Sequence, residues 1–113
     1  MHELAAVKEL INRGVMVCRE NGIAKPRHVI VTLGAMTTYK ALSVRYYFDL
    51  LKKDTILSNA ELRINEAEGR LFCGSCNQES SIGQPYMIIC PLCGSGDAEI
   101  RQGTEFILNK IEG

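Results

Sequence analysis

The sequence predicts an α+β fold, a small three-stranded mixed sheet covered by two helices and interrupted by an inserted four-cysteine ribbon. Three observations carry this expectation. Apolar residues recur at helical spacing in two segments, and β-branched or alternating residues mark three strands. Two Cys-x-x-Cys pairs, Cys73-Gly74-Ser75-Cys76 and Cys90-Pro91-Leu92-Cys93, stand close together before the last strand. At 113 residues the chain has room for one compact core and an appendage too small to fold without a staple.

In chain order, Leu4, Val7, Leu10 or Ile11, Gly14 and Cys18 form one apolar stripe, with Lys8, Glu9, Asn12, Arg19 and Glu20 mostly elsewhere. That pattern predicts an amphipathic helix over 3–21. It ends at Asn21-Gly22, where glycine can take the left-handed conformation, and Cys18 reads as a small core residue. His28-Val-Ile-Val-Thr-Leu-Gly34 predicts a strand with Val29, Val31 and Leu33 inward and His28 as a solvent-facing edge residue. A second helix follows, with Thr37 or Thr38 as its N-cap and Val44, Tyr47, Phe48 and Leu51 as its buried face. Leu62 and Ile64 alternate with Glu61, Arg63 and Asn65 in a second strand, and Thr104 to Ile111 predicts a third.

The first two strands, joined through a helix, are expected to run parallel with a right-handed crossover. The returning strand is expected to pair antiparallel with the outgoing one. Residues 1–68, completed by 103–113, then form an α+β domain, and 69–102 form the ribbon.

Each Cys-x-x-Cys pair supplies two thiolates from one tight turn, and four thiolates around one ion suggest tetrahedral zinc. Such a shell has no open position for water or substrate, so its role is structural. Two disulfides would instead need an oxidising compartment, and the charged start Met1-His2-Glu3-Leu4 does not read as a secretory signal. A rubredoxin-like iron site, used for electron transfer, competes for the same ligands.

Thirteen Lys and Arg balance thirteen Asp and Glu, so no basic field points to nucleic acid or an anionic membrane. A nucleic-acid-binding ribbon needs a basic face and stacking aromatics. This one offers Phe72 and Tyr86 with little positive charge around them. The longest uncharged apolar stretch, Val29 to Met36, falls far below the roughly 20 residues a membrane span needs. With only two histidines and all four paired cysteines committed to metal, no catalytic constellation is apparent. A soluble, cytoplasmic binding protein is the expectation.

Several residues together carry a resemblance. Met1-His2-Glu3-Leu4 opens a helix, Leu33-Gly34 ends a strand, Ala60-Glu-Leu-Arg-Ile precedes the ribbon, and Cys90-Pro-Leu-Cys-Gly94 closes it. In this the chain resembles, over essentially its whole length, the HypA/HybF hydrogenase nickel-insertion accessory proteins. The resemblance implies zinc at Cys73, Cys76, Cys90 and Cys93 and one nickel ion near the amino terminus. It also implies a metallochaperone that works with the GTPase HypB to supply the large subunit of [NiFe]-hydrogenase, and in some members urease with its accessory proteins. One departure stands out: some relatives offer an acidic residue near the start of the second helix as a further ligand, and Thr38-Tyr39-Lys40 offers none.

The chemistry of the terminus supports nickel there. A Met1 amine, the His2 amide nitrogen and the His2 imidazole can close adjacent five- and six-membered chelate rings. Planar nitrogen ligation of this kind favours Ni(II) or Cu(II) over zinc. The first N–H groups of a helix lack intrahelical partners, so using the His2 or Glu3 nitrogen breaks no helix bond. From the residues alone, His2 and Glu3 read more readily as a mobile start and a favourable first-turn acid than as ligands. The resemblance selects His2 as a ligand and leaves the Glu3 nitrogen, water or a partner group for the fourth position.

Overall fold

The structure is a computed structural model that describes residues 2–82 and 88–113, with position 2 described by its backbone alone. Its elements are α1 (His2–Asn21), β1 (His28–Gly34), α2 (Ala41–Leu51), β2 (Glu61–Ala67), β3 (Gly69–Cys73), β4 (Glu79–Ile82), β5 (Ala98–Gln102) and β6 (Phe106–Glu112). They form two three-stranded sheets, ordered β2-β1-β6 and β4-β3-β5. The chain divides into two compact units, one of residues 1–32, 39–65 and 107–113, the other of 33–38 and 66–106.

In the first unit the expected stripes pack, with Leu4 of α1 and Tyr47 and Leu51 of α2 only half-buried. Val7, Leu10, Ile11 and Cys18 of α1, Val29 and Val31 of β1, and Val44 and Phe48 of α2 are buried. Burial pushes the Cys18 thiol above its ordinary pKa, as befits a core residue. Leu57, in the connection after α2, is also fully buried. A Cβ at Gly14 would come within 3.0 Å of the Leu57 Cδ1, so a glycine on the α1 stripe makes room for a side chain that no periodicity marks. Arg45 Nη1 donates to the Leu62 carbonyl at 2.6 Å and Lys52 Nζ to that of Ala60 at 2.8 Å. These two bonds fasten α2 to the lead-in and body of β2.

Three expectations change. The first is strand order. The Glu61 N–H donates to Arg27 O and the Ala35 N–H to Ala67 O, each at 2.8 Å. Both partners advance together, so β1 and β2 run parallel as expected. The Arg27 N–H donates to Glu112 O and the Gly34 N–H to Glu105 O, each at 2.7 Å, so β6 returns antiparallel against β1 and not against the outgoing β2. Burial gives the reason. β1 has no exposed residue, alternating half-buried and buried from His28 to Leu33, whereas β2 exposes Glu61, Arg63, Asn65 and Glu66, so β1 takes the centre and β2 an edge.

The second change concerns His28, which therefore starts a central strand. Arg63 Nη2 lies 3.1 Å from its Nε2 and Glu112 Oε1 lies 3.6 Å from its Nδ1. The third concerns the start of α2. Neither threonine caps it: Thr37 Oγ1 donates to Gly34 O at 2.8 Å, and Lys40 is the N-cap, with extended backbone and no side-chain cap bond.

In the second unit the ribbon has a sheet of its own. β3 pairs antiparallel with β4 and with β5, with an irregularity between Arg70 and Leu71 on the β5 side. Its core is Leu71, Cys73 and Cys90, with Cys76, Ile82 and Ala98 against them. Residues 33–38 belong to this unit because backbone approaches backbone there. Met36 N–H donates to Gly103 O at 2.7 Å. Gly103 has φ +110, and a Cβ on it would lie 2.8 Å from the Gly69 Cα and 2.9 Å from the Met36 Cγ. A Cβ on Gly34 would run into the Gly103 carbonyl. We expect Gly34→Ala to cost roughly 2–3 kcal/mol, measured as a lowered urea midpoint at unchanged m-value; an unaltered midpoint would show that the crossing can open.

Candidate metal centre

The two Cys-x-x-Cys turns are built alike. In the first, the Asn77 N–H donates to Cys73 O and the Cys73 N–H to Gln78 O, both at 2.9 Å. In the second, the Gly94 N–H donates to Cys90 O at 2.8 Å and the Cys90 N–H to Ser95 O at 2.9 Å. Each turn therefore closes with the residue four positions after its first cysteine in the left-handed region, Asn77 at φ 58 and Gly94 at φ 78. Asparagine and glycine are the residue types that tolerate it. Ser75 Oγ and Ser95 Oγ meet at 2.8 Å across the two turns. The Gly74 N–H donates to Asp97 O at 2.7 Å, holding the first turn against the strand that leaves the second.

These turns gather the four sulfurs within 4.8 Å of one another. Cys73 and Cys93 Sγ are 3.6 Å apart, and Cys76 and Cys90 Sγ are 3.7 Å apart. A tetrahedron with metal–sulfur bonds of about 2.3 Å has edges of about 3.8 Å, whereas a disulfide needs about 2.05 Å. All four cysteines are free thiols, so the disulfide alternative is gone and the donor set fits one tetrahedral ion. Cys73 and Cys90 are buried, Cys76 is half-buried and Cys93 is exposed. The cluster closes on itself with one corner at the surface.

Electrostatics explain why these thiols want a cation. The Cys76 N–H aimed at its sulfur lowers the Cys73 pKa to about 7, against the opposing effect of desolvation. Desolvation, then hydrogen bonding from its three sulfur neighbours, pushes Cys76 up to about 12. At Cys93 the Ser95 N–H pulls downward, but the Cys73 hydrogen bond, desolvation and Cys90 together leave it raised. One thiolate forms readily and its neighbours then resist ionising, a conflict that a divalent ion removes.

The other residues expected to touch metal lie at the amino terminus. Met1 and the His2 side chain, like Tyr86 of the ribbon, fall outside the described residues. Glu3, in the first turn of α1, is described, and its Oε2 accepts a hydrogen bond from the Lys40 N–H at 3.1 Å. That contact joins residues 37 positions apart, and no local pattern could have revealed it. Ser75, Ser95 and Asp97 were also missed as turn supports, although Asn77 and Gly94 at matching offsets were a readable sign of paired turns.

A family model described as hydrogenase/urease nickel incorporation, metallochaperone, hypA, matches residues 1–113. The chain belongs to the HypA family. The hydrogenase maturation factor HypA of Moorella thermoacetica is 34% identical over 113 residues, spanning 100% of this chain and 99% of that one. Its counterpart from Rippkaea orientalis is 35% identical over 112 residues, spanning 99% and 95%. The solution structure of the Ni metallochaperone HypA from Helicobacter pylori has the same fold, with a TM-score of 0.69 at 22% identity over 97% of this chain and 95% of that chain. HypA proteins are nickel metallochaperones and maturation factors rather than enzymes, and this member carries a four-cysteine metal site. No helix among its described residues is long and apolar enough to cross a membrane.

Because the raised Cys76 and Cys93 thiols keep their protons to higher pH, protons compete with metal more strongly as pH falls. We expect the affinity of the cage for zinc to drop from pH 8 to pH 6, with proton release on binding. Competition against a chromophoric chelator in two buffers of different ionisation enthalpy checks both.

Proposed function

We propose that this HypA protein is a cytoplasmic nickel carrier whose cargo site is its amino terminus. A free Met1 amine, the His2 amide nitrogen and the His2 imidazole hold one Ni(II), and the Glu3 amide nitrogen completes the set. Cys73, Cys76, Cys90 and Cys93 hold structural zinc. The cargo passes, with the GTPase HypB, to the large subunit of [NiFe]-hydrogenase, and urease accessory proteins are further candidates to receive it.

One observation carries the reading. The metal site of this nickel-metallochaperone family member is built from four converging thiols, and a tetrahedral ion held by all four keeps no open position, so a transported ion needs a second, more labile place. The soft, tetrahedral sulfur set suits zinc, and planar nitrogen donors suit nickel. Lys40 at the head of α2 presents its N–H, not a carboxylate, toward Glu3. That favours a backbone nitrogen over a side-chain oxygen for the last position.

Adding one residue before Met1, or replacing His2 by Ala, should reduce Ni(II) affinity at least 100-fold while zinc content stays at one per chain. Calorimetry on untagged, zinc-filled protein together with elemental analysis measures both quantities. Unchanged nickel uptake in either variant would end the proposal, and a red, redox-active protein would make the cage an iron site instead. Nickel affinity should also fall between pH 8 and pH 6, because an amine and an imidazole with reference pKa values of about 7.7–8.0 and 6.5 must lose protons to bind. A flat profile would exclude these ligands.

A further inference from the structure

Glu3 has a carboxylate whose placement the reading above does not use. The helix it reaches lacks any cap of its own. Lys40, the N-cap of α2, has φ −109 and ψ 133, contributes no side-chain bond, and is followed by a first turn without an acidic residue. Lysine has no oxygen to offer the free N–H groups behind it. Glu3 Oε2 approaches the Lys40 N–H at 3.1 Å. In a capping box, a carboxylate three residues into a helix reaches back to the N-cap N–H. Here the same bond is made by a carboxylate from a different helix.

We infer that the Glu3 side chain is a positioning residue for the nickel terminus: it caps α2 from outside and thereby pins the first turn of α1, without ligating the ion. This rests on the terminal-site reading. The carboxylate sits in the first turn of α1 and against the start of α2, so the positive ends of two helix dipoles hold it. A chain end frays unless something ties it down. Backbone nitrogens of successive residues form a ready chelate only when that turn is already ordered, since ordering otherwise subtracts from affinity. A hydrogen bond from residue 3 to residue 40 supplies the tie at the place where the donors begin.

Glutamine separates positioning from ligation, because its carbonyl oxygen still accepts from the Lys40 N–H while it is neutral and a poor nickel ligand. The experiment uses full-length, untagged, zinc-filled protein. It records the amide exchange rate of Lys40 by NMR without nickel, then titrates Ni(II) by calorimetry. Glu3→Ala should exchange Lys40 at least 10-fold faster than wild type and bind nickel at least 10-fold more weakly. Glu3→Gln should stay within about threefold on both.

Equal loss of nickel affinity in Glu3→Gln and Glu3→Ala would make the carboxylate a ligand or a charge partner and overturn the inference. So would a Lys40 exchange rate that neither variant alters. Failure of wild type to take up nickel would sink the terminal-site reading and this role with it. Intact uptake with indifferent Lys40 exchange sinks only this role.

Discussion

The convergence of four sulfur atoms is the constraint on which the second unit depends. The cluster around the sulfurs consists of Leu71, Cys73 and Cys90, lined by Cys76, Ile82 and Ala98, so half of its side chains are thiols. Strands of four or five residues such as β3, β4 and β5 cannot stand on so little apolar surface. The thiols cannot ionise together either, since Cys73 is drawn down to about 7 and Cys76 driven up to about 12 within one cluster. A divalent cation resolves the packing and the charge problem at once. Metal binding is thus coupled to the ordering of this cluster, and the paired turns bring the donors to tetrahedral spacing.

The glycines around the ribbon serve a different purpose from loose linkage. Gly34, Gly69 and Gly103 are each crowded by backbone or by Met36, and Met36 itself is buried. Glycine is required there because chains touch. Only Gly103, at φ +110, also needs the conformational freedom that glycine brings. Gln102 Nε2 donates to Glu68 O at 3.1 Å and Gly103 N–H to Glu105 Oε1 at 3.1 Å, adding polar ties at the same crossing. The entrance and exit of the ribbon are consequently stitched to residues 34–36, and the unit is defined as much by this crossing as by its metal site.

Sequence patterns revealed whatever is encoded locally. The α1 stripe and the Val29-Val31-Leu33 alternation are buried as read, because period and burial are the same property viewed twice. The four cysteines were legible from spacing alone, and the family from the motifs that flank them. What escaped depended on distant partners. β6 could not be assigned to β1 instead of β2 without knowing that β2 leaves most of one side to water. Thr37 has good capping chemistry, but the Gly34 carbonyl three residues back claims its hydroxyl, and α2 starts later, at Ala41. The Glu3–Lys40 bond spans two helices, so composition could offer only a first-turn acid.

Under the proposed function, the two metal sites differ in the property that matters most for a carrier, the ease of letting go. Two of the four cage sulfurs, those of Cys73 and Cys90, are buried beside Leu71, so freeing an ion from all four disturbs that core. The ligands proposed at the start of α1 are not part of that core. Softness sorts the metals only if the cage is already filled, because an empty set of thiols would also attract nickel. On the proposed reading, a filled cage is therefore a condition for nickel at the terminus as well as a structural staple.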